Sequence, residues 1–307
     1  RPGMATGMAI MGFGGGGMVA SPLSVYLMEL FSNASSNGVG ATFIVMGVIY
    51  LLVMLLGSFL VRVPAENWKP EGFDPAKIQQ KKMVSTQHVL VDNAVKTPQF
   101  YLLFGVLMLN VTAGIGVLGQ ASVMIQELFS EASVGTVNAI DAKKAAGFVM
   151  LLSLFNMAGR FFWSSLSDYI GRRNTYIIFF TLGIILYASI PSIGASGSVV
   201  IFVAAFAIIM SMYGGGFATI PAYLRDLFGT KQVGAIHGRL LLAWSAAAIF
   251  GPVIINYLRQ YQLELKGMPA AEVYSLTMYI MAGLLLIGLI CNLLVTPVQE
   301  RFHDKQS

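Results

Sequence analysis

The chain has 307 residues, of which 56% are hydrophobic and only 11% charged, against about 25% charged in an ordinary soluble domain. With apolar stretches of roughly 20 residues recurring along its length, this composition excludes a soluble enzyme and points to an all-α, polytopic membrane protein whose main partner is the lipid bilayer. The net charge of +5 would suit a nucleic-acid partner, but its distribution along the chain is a membrane-orientation signal instead, and no nucleic acid is expected.

Eight spans are expected, at 4–31, 41–61, 99–128, 145–166, 174–192, 198–222, 238–258 and 274–296. The 33 glycines suit helices that pack closely in lipid. The chain opens Arg1-Pro2-Gly3, with no initiator methionine and no signal-peptide pattern, so the true N-terminus is expected upstream. Connections are short except for 62–98, a polar segment rich in Lys and Pro that reads as a linker between two bundles.

Lys and Arg set the orientation. One side of the membrane holds Arg1, the linker's Arg62, Lys69, Lys77, Lys81, Lys82 and Lys96, then Arg172, Arg173, Arg225, Lys231, Arg239, Arg301 and Lys305. The other holds only Lys143, Lys144, Arg259 and Lys266. The first side, with both termini of the chain, is expected to be cytoplasmic.

One basic residue, Arg160, lies inside a span, eight residues before Asp168. That places it about 12 Å inside the boundary, near the midplane of a ~30 Å core. A charge there costs a few kcal/mol or more and is retained for a task. A guanidinium offers a planar fork that fits a carboxylate. Asn156 precedes Arg160 by one helical turn. Tyr213 and Phe217 share a face of the sixth span at i and i+4, and Gly214–Gly216 between them lets a neighbour approach. Asn110 and Thr112 lie near mid-depth and either contact substrate or join helices.

Other motifs carry less. Gly12-Phe13-Gly14-Gly15-Gly16-Gly17 contains a literal G-x-G-x-x-G, but no strand precedes it and no βαβ unit surrounds it, so it reads as a close-packing helix seam and not a dinucleotide site. There is no phosphate-binding loop for ATP. His88, His237 and His303 are scattered, Cys291 is alone, and no nucleophile sits beside a base, so neither enzyme activity, nor a cofactor, nor a metal is expected. Glu29 and Glu127 fall near external ends, which leaves no acid deep in the spans and favours anion exchange over proton symport.

An internal repeat places Pro22 over Pro252: SPLSVYL (21–27) overlies GPVIINY (251–257), each after a run of small residues, and the spans carrying Gly47 and Gly283 follow in step. Parallel repeats of this kind mark the two six-helix halves of major facilitator transporters. Ser164-x-Leu166-Ser167-Asp168-x-x-Gly171-Arg172-Arg173 resembles the loop signature of that superfamily, departing from it at Ser164 and Tyr169. TPQFYLLFGVLMLNVTAGIGVLGQAS (97–122), LFNMAGRFFWSSLSD (154–168) and GGGFATIPAYLRDLFG (214–229) are similar to the oxalate/formate antiporter family within it.

The resemblance implies a major facilitator fold in which 1–61 supplies the fifth and sixth spans of the N-terminal bundle, 62–98 the central cytoplasmic loop and 99–307 the whole C-terminal bundle, with the first four spans missing. It implies a monomeric secondary transporter of small organic anions in the cell inner membrane. Arg160 matches an arginine that takes one carboxylate of oxalate in that family. The lysine that takes the other has no counterpart, because LLAWSAAA (241–248) places Trp244 or Ser245 there. One cation suits a monocarboxylate such as formate, lactate or pyruvate better than oxalate. Tyr213 and Phe217 would wall the cavity, and Asp168, Gly171, Arg172 and Arg173 would form a cytoplasmic gate. The alternatives are a sugar or drug carrier on the same fold, and a truncated product that does not transport.

Overall fold

The apolar runs become helices because lipid offers no partner for backbone N–H and C=O groups. The computed structural model describes residues 2–62, 65, 83–85, 87–130, 139–269 and 272–304, apart from the side chains of 142 and 143. Most of the expected linker lies outside the described residues, as do Arg1, Lys69, Lys77, Lys81, Lys82, Lys305 and the Lys143 side chain.

The helices are α1 (Pro2–Phe31), α2 (Val39–Leu60), α3 (Val91–Ala94), α4 (Pro98–Leu128), α5 (Ala142–Ile170), α6 (Arg172–Ala195), α7 (Val199–Phe228), α8 (Val233–Leu240), α9 (Leu242–Gln260) and α10 (Ser275–Leu294). The α9 helix runs on into a π-helical turn, Tyr261–Leu265, and the tail carries a short 3-10 turn, Glu300–Phe302. The described residues contain eight helices long and apolar enough to cross a membrane, with Val233–Leu265 counted as one. They match the expected spans in order, and most differ only at the ends.

One difference matters. Ser167 and Asp168 do not lie in a turn. The helix continues to Ile170, and the turn between α5 and α6 is Gly171 alone, at φ 87°. A residue with a side chain is strained at that φ, so glycine permits the abrupt junction. Asp168 and Arg172 therefore stand one on each side of a one-residue corner.

Local capping fixes two of the other starts, those of α4 and α5. Thr97 accepts the Phe100 N–H at 3.3 Å, and Pro98 occupies the first helical position, where a missing N–H costs nothing. Asp141 caps α5 through the Lys144 N–H at 2.7 Å.

The chain divides into two compact units, Arg1–Met18 with Met83–Ser307, and Val19–Lys82. In the second, the end of α1 leads through a two-residue β-hairpin, Ser32–Asn33 against Ser36–Asn37, into α2. Ser24 donates to the Ala20 carbonyl at 2.6 Å and to the Met46 sulfur at 3.2 Å. In the first, α4 and α7 contribute the largest buried share, and Leu103, Val106, Phe180, Phe202, Phe206 and Phe228 are fully enclosed. Helices cross there on glycine. Gly159 meets the Ser211 backbone, Gly214 meets the Asn156 backbone, and a Cβ at Gly251 would lie 2.8 Å from the Thr112 carbonyl. Small residues at such crossings let backbones approach where lipid provides no hydrophobic drive.

Candidate functional site

Arg160 projects from α5 about 15 Å from the Ile170 end, at ~1.5 Å per residue. Its side chain is 1% exposed. Nε donates to the Asn156 Oδ1 at 3.1 Å, and Nη1 reaches the Ile10 carbonyl at 3.5 Å. The guanidinium lies 4.9 Å from the Phe217 ring centre and 5.0 Å from that of Phe13. Trp244 closes the group, 4.9 Å from Phe217 and 5.5 Å from Phe13, and the two Phe rings stack at 6.1 Å. Among the described residues no carboxylate pairs with Arg160. A buried cation held only by neutral dipoles and aromatic faces is left with its charge uncompensated.

The first half of α1 reaches this arginine because it carries so little side chain on one face. Gly3 and Gly7 lie against Ser164, a Cβ at Gly14 would stand 2.7 Å from the Arg160 Nε, and one at Gly17 would stand 2.8 Å from the Ser153 hydroxyl. Gly12 and Gly16 face open space. The run read from sequence as a packing seam is therefore a seam along α5, and Phe13, its single bulky residue, sits on Arg160. Sequence reasoning missed Phe13, although a lone ring among five glycines is visible in the run 12–17.

The expected binding residues do not all converge. Arg160, Asn156, Phe217 and Trp244 form one cluster. Tyr213 neighbours both the Arg160 guanidinium and the Trp244 indole. Its ring packs over Gly114 on its other side. Asn110 instead lines a separate cavity of about 20 Å³ together with Gly114, Phe179, Tyr187, Tyr213 and Leu285. That is room for one water. The Asn110 Oδ1 is buried without a hydrogen-bond partner, and Thr112 turns its hydroxyl back to the Met108 carbonyl at 2.7 Å.

A second polar cluster forms at the Gly171 corner. Asp168 accepts the Gly3 N–H at 2.9 Å and the Met4 N–H at 3.0 Å, so its carboxylate sits on the first turn of α1, where partial positive charge favours an anion. Arg172 pairs with Asp168 at 2.5 Å and with Asp226 of α7 at 3.2 Å, and donates to the Ser167 hydroxyl. Arg173 does not join. It donates to the Leu293 carbonyl, while Asn292 donates to the Arg173 carbonyl at 2.9 Å, which ties α6 to α10. Asp226, missed from sequence, is the buried acid that extends the pair, and it also takes the Arg225 guanidinium at 3.1 Å, so the network holds four charges.

At the opposite end of the unit, Glu127 of α4 receives both the Arg259 guanidinium and the Tyr274 hydroxyl, the latter at 2.5 Å. The acid expected near an external end is thus a helix tie.

The profile of the Major Facilitator Superfamily matches residues 1–252 and, overlapping, 122–307. The chain is 28% identical over 251 residues to the "Oxalate:formate antiporter" of Oxalobacter formigenes, covering 82% of this chain and 54% of that protein. It is 24% identical over 250 residues to the "Uncharacterized MFS-type transporter YhjX" of Escherichia coli (strain K12), covering 81% and 56% respectively. The chain spans about half the length of these curated relatives. Members of the matched family are transporters. With its eight membrane-length helices and a profile match over both halves, the chain belongs to the major facilitator superfamily.

Proposed function

We propose that this chain forms the anion-binding half of a secondary transporter for small organic anions, working by alternating access in the cell inner membrane. The observation that supports this best is Arg160, 1% exposed and without a carboxylate partner among the described residues. A buried guanidinium of this kind is stable when an anion arrives to share its charge. Asn156 holds Nε and aims the fork, while Phe13, Phe217 and Trp244 form apolar walls that exclude water. With one cation in the cluster, a monocarboxylate such as formate, lactate or pyruvate suits the site better than a dicarboxylate.

In this reading residues 1–61 belong to one bundle and 99–307 to the other. The Lys- and Arg-rich end faces the cytoplasm, and the protein acts as a monomer. The Asp168–Arg172–Asp226 network is the cytoplasmic latch: it bridges α1, the Gly171 corner and α7, and it parts when the helices rock. Exchange of one anion for another fits spans that, among the described residues, carry no carboxylate at mid-depth.

The test is uptake of labelled formate, lactate and pyruvate into proteoliposomes holding the full-length protein, wild type against Arg160→Gln. The substitution removes charge and keeps bulk, so transport should vanish while the protein still purifies as folded. An Arg160→Lys variant should retain weak binding, having charge without the bidentate fork. Wild-type uptake by the Gln variant, or saturable uptake of a neutral sugar, would overturn the assignment.

A further inference from the structure

We infer that the described residues 83–85 and 87–97 form a docked strap that holds the latch closed by capping the end of α7; this rests on the latch reading above. The last carbonyls of a helix have no partner within it. In α7 two of them are taken by the strap: the Ser85 N–H donates to the Asp226 carbonyl at 2.7 Å, and the Val89 N–H to the Phe228 carbonyl at 2.9 Å. Asp226 is also the residue whose carboxylate holds Arg172. One amino acid is thus gripped by the strap through its backbone and by the latch through its side chain.

The strap is anchored on both sides of that grip. Val89 is fully buried. The Val91 N–H donates to the Gln232 side chain at 2.7 Å. A Cβ at Gly229 would stand 2.5 Å from the His88 Nδ1, so the strap passes directly over the turn that ends α7. The C-terminal tail covers it: the Asp304 N–H donates to the His88 carbonyl at 2.8 Å, and Asp304 is tied in turn to Lys231 of that turn at 2.7 Å.

The consequence is mechanical. A continuous polar path runs from the strap through Asp226, Arg172 and Asp168 to the amides of Gly3 and Met4. While the strap is seated, the Asp226 carbonyl and carboxylate share one position and Arg172 is held between two acids. When the strap lifts, the end of α7 frays, Asp226 is no longer pinned, and the grip of Arg172 and Asp168 on α1 weakens. The last part of the linker is then part of the gate, and whatever pulls on the linker acts on the latch.

Hydrogen exchange read by mass spectrometry on the full-length protein in lipid nanodiscs tests this without any substrate. The Gly3 and Met4 amides report the latch, and the strap amides report docking. Gln232→Ala removes one strap acceptor and Val89→Pro removes one strap donor. Each lost bond should speed exchange of the strap about three- to tenfold, and exchange at Gly3 and Met4 should rise with it, while mid-α4 amides stay unchanged. If the strap exchanges faster in Gln232→Ala and Gly3 and Met4 keep wild-type protection, the strap is mere packing and the inference is overturned. Arg172→Gln separates the two ideas. It should expose Gly3 and Met4 with the strap still protected. If the strap and those amides respond together as described but Arg172→Gln transports at the wild-type rate, the coupling stands and the latch is not the gate.

Discussion

Asp168 and Arg172, four positions apart, face each other across the corner made by Gly171, with their charged groups 2.5 Å apart. Because Asp168 also takes two amides from the first turn of α1, the pair joins two separate lengths of chain and not merely two ends of a corner. Asp168→Asn keeps the shape and loses the charge that attracts both Arg172 and the helix terminus. Its expected effect is on the rate of exchange at saturating anion, with the dissociation constant little changed, because the latch biases a conformational equilibrium and does not touch substrate. Loss of affinity with an unchanged saturated rate would contradict the latch.

Gly14 and Gly16 provide a matched comparison. A Cβ at Gly14 would press on the Arg160 Nε, whereas one at Gly16 would meet nothing within 4 Å. Gly14→Ala should displace the guanidinium from Asn156 and cost about 1–3 kcal/mol of fit, as overpacking does. Gly16→Ala should be neutral. Titration of a labelled anion into both variants checks this: equal affinities would mean that α1 does not position Arg160.

Charge number governs selectivity. A dicarboxylate leaves one charge unmet unless a second cation reaches it, and losing one partner of a buried pair costs roughly 3–5 kcal/mol, more than a hundredfold in affinity. Formate, lactate or pyruvate should therefore outcompete oxalate by at least that order in the full-length protein. Trp244 stands in the aromatic group with Phe217, while Ser245 is exposed, so Trp244→Lys is the substitution that should move preference toward oxalate. Oxalate winning against the unmodified protein would show that a second cation enters the cavity from elsewhere.

The Glu127–Arg259–Tyr274 cluster should behave as structure. Arg259→Gln removes charge-assisted hydrogen bonds that join α4, α9 and the start of α10, worth about 1–3 kcal/mol. The expected result is a melting temperature lowered by a few degrees with anion affinity intact. A change in affinity at constant stability would assign the cluster a role in transport.

Sequence alone determined the spans and the deep charge. Bilayer thickness demands about 20 apolar residues per helix, so the eight runs stand out without any tertiary knowledge. Arg160 stands out for the converse reason, as a cation where water is absent. The companions of Arg160 were only partly legible. Phe217 and Asn156 follow from helical spacing, but Phe13 is brought from 147 positions away in the chain, and Asp226 from 54 positions beyond Arg172. Spans that are apolar all round carry no polar-face pattern to say which side meets a neighbour. Only tertiary packing decided that Phe13 covers the arginine, that Asn110 turns to a separate cavity, that Arg173 leaves the latch for α10, and that the last part of the linker caps α7. In each case the cause is a close approach between helices or a terminal carbonyl in need of a donor, and local sequence does not name the partner.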